Sequence, residues 1–117
     1  MKYESIPVLS RIEIEDAIRR NDPQELLYAV LSAALYSDDQ KWAQDVCLRL
    51  ALHPHLNVRG NAILGFGHIA RVHHYLDRKL VQPIIEQALL DPDSYVRGHA
   101  KDAADDIAHF LDWHVRH

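Results

Sequence analysis

Imidazoles and carboxylates recur at helical spacing late in this chain: His99, Asp102, Asp106 and His109 follow one another at three- or four-residue steps. Asp102, Asp105, His109 and Asp112 make a second row. On a helix such residues share a face, where they are able to activate water or hold a cation. Nine histidines occur in all, and His73-His74, His53-Pro54-His55 and His114 with His117 each offer two metal ligands. A zinc centre needs three or four converging ligands, and scattered histidines with one cysteine, Cys47, supply no recognised spacing. No nucleophile stands beside a base, and no glycine-rich loop waits for phosphate. These residues read as solvated or corner positions, so no catalytic, cofactor or metal site is assigned and the chain reads as a non-enzyme. Cys47 lies in an apolar stretch and reads as inert packing.

The elements that carry these residues are helical. With 117 residues, 48% of them hydrophobic, the chain makes one domain, 1–117, with a continuous core. Four glycines and five prolines leave few breakers. Ser10 and Glu13 have capping-box spacing ahead of a helix at about 10–20. Asp22-Pro23 then starts a second, with Asp22 as N-cap and Pro23 in the first turn. Ser37-Asp38-Asp39 caps a third, which ends before Pro54, and a fourth covers about 56–72. A fifth covers about 78–90, with Pro83 placed in its first turn or at a kink. Asp91-Pro92 opens a sixth, with Asp91 as its cap. No alternating β-branched run competes with an all-α reading.

Two segments repeat. His53 to Ala62 matches Asp91 to Ala100 at five of ten positions, Pro, Val, Arg, Gly and Ala, at an offset of 38 residues. A weaker copy follows Pro23, where Leu27, Ala29 and Leu31 occupy the same offsets. A period of this length marks a stack of supersecondary units. Val96, Ala100, Ala103 and Ile107 form the stripe that packs on neighbouring helices. Gly60 and Gly98 each cost about 1 kcal/mol in a helix, so their recurrence implies close helix approach at both. Arg59 and Arg97 stand where they reach an acidic neighbour in an adjacent unit.

This Asp-Pro, Val-Arg, Ala pattern resembles the HEAT-repeat family over about residues 10–113. The resemblance implies a right-handed α-solenoid of three helix pairs, at about 10–36, 38–72 and 78–113. It also implies an aspartate–arginine ladder between repeats, carried here by Asp91, Arg97 and Arg59. His53 replaces the second aspartate and Tyr28 the first arginine, so the ladder is incomplete, with an Arg59–Asp91-type contact at most. HEAT-type metal hydroxylases use His-Glu pairs, and none occurs in this sequence.

In such solenoids the second helices line the concave side. Positions ten, thirteen or fourteen, and seventeen after each proline should face outward there: Ala33 and Tyr36; Leu64, His68 and Arg71; Asp102, Asp105, Asp106 and His109. The strip runs from aromatic and apolar to acidic, which suits an anchor and a charged end that steers a basic partner. The net charge of -4 opposes nucleic acid. No run approaches a signal peptide or the roughly 20 apolar residues of a membrane span, so cytoplasmic is the expectation. Short free-standing bacterial proteins of this kind resemble immunity proteins, which implies a protein-binding module that covers a toxin, here a basic nuclease. The alternatives are a nucleic-acid binder resembling HEAT-type DNA glycosylases and an accessory protein resembling bilin lyase subunits.

Overall fold

A computed structural model describes residues 6–114, and among them there are six helices and no strand. Helix α1 (Arg11–Arg20) begins with a complete capping box, in which Ser10 accepts from the Glu13 N–H and Glu13 accepts from the Ser10 N–H. Asn21, in the left-handed region at φ 57°, ends it. Helix α2 (Pro23–Tyr36) has Asp22 as N-cap and Pro23 in its first turn. Asp39 caps α3 (Gln40–Leu50), and His55 caps α4 (Leu56–His73) through Nδ1.

One helix start differs from the sequence expectation. Helix α6 (Ser94–Leu111) is capped by Asp93, whose carboxylate accepts from the Tyr95 N–H at 2.8 Å, and not by Asp91. Asp91 is already engaged: its Oδ1 accepts from the Asp93 N–H, and both of its oxygens accept from Arg59. Pro92 therefore lies in the corner and not in the first turn. In α5 (Arg78–Ala88), capped by Asp77, Pro83 stands in mid-helix, so the helix loses one internal donor there.

Helix α4 packs between α2 and α6, while α1 lies on α2, α3 on α4 and α5 on α6. Paired contacts give the direction of the three long helices. Tyr95 at the start of α6 meets Gly60 near the start of α4, and Asp106 late in α6 meets Gly67 late in α4. His73, the last residue of α4, bonds the Ser37 carbonyl just past the end of α2. These helices are parallel, and their C-terminal ends share one edge.

Residues 60–70 of α4 are buried without interruption, which is the consequence of its central place. Val58, Ile63, Phe66 and Ile69 from α4 meet Val96, Ala100, Ala103 and Ile107 from α6 in a single core with Leu26, Val30 and Leu31. Full burial of each large apolar side chain contributes about 1.5–3 kcal/mol before chain entropy is set against it. The expected close approach is present at Gly60, where a Cβ would lie 2.9 Å from the Tyr95 ring. Gly98 differs: it is exposed, with nothing within 4 Å of that position. No helix pair follows α6 among the described residues, so the glycine that receives a neighbour in α4 has none in α6.

Contacts between consecutive corners replace a regular ladder. Arg59 grips Asp91 with two bonds of 2.8 and 3.0 Å, and Asp91 is held below its ordinary pKa, chiefly by that guanidinium. One step earlier the same place is taken by His53, which bonds Asn21 at 2.8 Å. Arg97 forms no ion pair among the described residues; it donates to the carbonyls of Asp91 and Pro92, and its charge adds to the lowering of the Asp91 pKa. Helices α1 and α3 are joined by Glu15, which accepts from the Trp42 indole and from both terminal nitrogens of Arg49. Those bonds hold its carboxyl down to about 2.

Candidate protein-binding surface

The strip assembled from the three long helices is present only in part. Tyr36, at the end of α2, is 40% exposed, whereas Ala33 one turn earlier is fully buried. Its cover includes the N-terminal segment: the Leu9 N–H donates to Ser32 at 2.9 Å, and Leu9 packs on the core. On α4, Leu64 and His68 were expected to face outward, yet they are only 9% and 5% exposed. The cause is the central position of α4, closed on both sides by α2 and α6. Arg71, one turn later, is exposed, and its Nη2 lies 3.4 Å from the His68 Nδ1.

Burial has electrostatic consequences. The His68 imidazole is pushed down to about 4, mainly by desolvation and then by the charge of Arg71, so it is neutral at pH 7. On α6, Asp102, Asp105 and His109 are exposed and Asp106 is half-buried. Asp106 lies against Gly67, with Oδ2 2.9 Å from where a Cβ would stand. Desolvation raises its pKa; Arg71 opposes this, and Asp102 and Asp105 add to it. The structure thus brings Arg71, His68 and Asp106 to the α4–α6 seam, with Asp102 and Asp105 near enough to act on the Asp106 charge. Tyr36 stands apart from that seam, on the far side of α4. His99 stacks on Tyr95 at 4.2 Å between ring centroids and does not join a catalytic row.

The exposed carboxylates are reinforced by the backbone. The ends of α2, α4 and α6 lie at one edge, so the negative ends of three helix dipoles point the same way. Asp112 stands at that end of α6 as its C-cap. The edge also carries exposed Tyr75, whose carbonyl accepts from Gln40. Carboxylates, negative helix ends and aromatic groups thus lie at one edge beside exposed Arg71, and its acidic part suits a basic protein surface.

The histidine pairs hold structure. His53 bonds Asn21, His55 caps α4, His73 bonds a carbonyl, and His74 ends α4 in the left-handed region. The pair His114 and His117 reaches outside the described residues. Among the described residues no three or more His, Cys, Asp or Glu side chains group as a metal site. Cys47 is fully buried, and burial pushes its thiol pKa up, far from a reactive thiolate. No helix in the described residues is long and apolar enough to cross a membrane.

Sequence reasoning passed over two features. Tyr95 and Asn61 connect α6 to α4 through an amide–phenol bond of 2.9 Å. The signal was available: they stand three and seven residues after their prolines, on the same helical stripe as the strip positions. Trp42 as the partner of Glu15 had no local signal, because the two are far apart in sequence.

No protein-family model and no curated protein sequence matches the chain. A solved structure does: a chain of the CDI complex from Cupriavidus taiwanensis LMG 19424, known from a crystal structure, is similar at 28% identity with a TM-score of 0.80, over 94% of this chain and 97% of that one.

Proposed function

We propose that this protein is an immunity protein, a non-enzymatic cytoplasmic module that binds and occludes a toxin. One observation carries the reading: the likeness to a chain of a CDI complex runs through nearly the whole of both chains. We read that complex as a toxin held by its neutralising partner, and this chain as a counterpart of the latter. The order of the helices, pairs stacked so that α2, α4 and α6 run side by side, is read as a short right-handed α-solenoid of the HEAT type.

The bound face is assigned to the exposed part of the strip: Tyr36, Arg71, Asp102, Asp105, Asp106 and His109, with Leu64 and His68 supporting it from beneath. A nuclease must be basic to hold RNA or DNA. A row of carboxylates backed by helix dipoles offers such a cleft the charge pattern of its substrate. Co-expression with the toxic domain encoded beside this protein should restore growth, and the two should purify as a 1:1 complex. Unrelieved toxicity with both proteins folded and abundant would sink the reading.

A further inference from the structure

The corner between α3 and α4 and the corner between α5 and α6 are built alike. In the first, Arg59 Nη1 donates to the carbonyls of His53 and Pro54 at 3.0 and 3.1 Å. Its remaining fork, Nε and Nη2, closes on the Asp91 carboxylate at 2.8 and 3.0 Å. Beside it Gly60 leaves the hollow that Tyr95 fills. The incoming helix start thus delivers a carboxylate and, four residues on, an aromatic ring, and one arginine and one glycine receive them.

The second corner repeats the receiving half. Arg97 Nη1 donates to the carbonyls of Asp91 and Pro92 at 2.7 and 3.0 Å, the same hold on its own corner. Gly98 follows it, with nothing within 4 Å of its absent side chain. No carboxylate among the described residues closes on the Arg97 fork. The guanidinium is therefore oriented by two backbone bonds before any partner arrives, which lowers the cost of pairing it with a carboxylate. Leu90, 80% exposed, borders the same corner.

We infer that this outer corner of α6 is a docking point for a protein segment that carries a carboxylate followed, four residues later at a helix start, by an aromatic side chain. A second copy of this chain does not fit. Its α2 corner offers Asp22 in place of Asp91, but the residue in place of Tyr95 is Leu26, which is fully buried. Its α4 corner offers His53 and Asn57. The footprint is confined to the first turn of α6. Where α4 continues with buried Ile63 and Gly67, α6 has exposed Lys101 and Asp105, which leave no seam for a further full-length helix. The inference rests on the immunity reading only in taking a protein as the occupant.

The probe is a phage-displayed library of 12-residue segments with a fixed proline corner and varied flanks, selected on the full-length chain. Carboxylate–aromatic pairs four residues apart should be enriched. Those clones should bind Arg97→Ala and Gly98→Leu at least tenfold more weakly, while a variant at exposed Lys41 on α3, Lys41→Ala, binds them as the parent does. Arg97→Lys, which keeps the charge without the fork, should also lose binding, and melting curves identify any variant that is misfolded. Absence of that pair among the selected clones, or binding to Arg97→Ala and Arg97→Lys as tight as to the parent, overturns the inference. Toxin neutralisation is scored separately: failure to protect cells with peptide binding intact removes the immunity reading and leaves this docking point standing.

Discussion

Acid should weaken this fold through one residue. His68 is neutral in the folded chain, with a pKa near 4, against 6.5 when exposed. Between those values the unfolded chain takes up a proton that the folded chain refuses. Stability is complete above 6.5 and falls as pH drops toward 4, by about 1.4 kcal/mol per unit in mid-range. From pH 7 to pH 5 this amounts to about 2 kcal/mol, a large part of the roughly 5–15 kcal/mol that holds a domain together. His53 and His99, both lowered chiefly by burial, act in the same direction, and Asp106, raised by burial, opposes them. The variant His68→Leu isolates the contribution, because its side chain remains apolar in a site that is already dry. Urea unfolding followed by circular dichroism at both pH values should show the parent losing about 2 kcal/mol more than the variant. An equal loss in both proteins would show that His68 is solvated or charged in the folded state, and the burial argument would fail.

Other perturbations separate neighbouring roles. Asp91→Ala should cost about 2–3 kcal/mol, because it leaves the Arg59 guanidinium unpaired in a mostly buried place; Asp93→Ala should cost about 1 kcal/mol, the worth of a cap. Equal losses in denaturant titrations would reject that division. Gly98→Ala should raise stability by about 1 kcal/mol through helix propensity alone, whereas Gly65→Ala should lower it by about 1–3 kcal/mol, since its Cβ would stand 2.6 Å from the Cys47 sulfur. Thermal melts that shift both variants the same way would contradict the packing described. For binding, lysine at Asp102, Asp105 and Asp106 together should slow association with a basic partner and flatten its salt dependence, the Debye length being about 8 Å at physiological ionic strength; Tyr36→Ala should instead speed dissociation. Stopped-flow kinetics with no change in either rate would move the interface off this strip.

Local chemistry made much of the fold legible from the chain. Ser10 with Glu13, Asp22 with Pro23 and the break at Ser37 each announce a helix start by satisfying free N–H groups, a requirement that involves only neighbouring residues. The repeated Val, Arg and Gly announced that two helices are equivalent. The Arg59–Asp91 contact was implied by the resemblance to HEAT repeats, in which an aspartate and an arginine of adjacent units pair. What the sequence did not contain was the surroundings of each position. Leu64 and Asp102 hold the same place in their helices, but one helix has neighbours on both sides and the other on one, so the first is buried and the second exposed. His68 and Asp106 diverge for the same reason. Asp91 was a plausible cap by type and spacing until tertiary structure put Arg59 beside it and left the cap to Asp93. Gly60 and Gly98 are identical in the repeat, and only the presence of Tyr95 over one of them makes it a packing residue and leaves the other open. Caps and periodicity involve residues within a few positions of one another and are written in the chain; burial depends on which helix lies alongside, and that is settled only when the helices have packed.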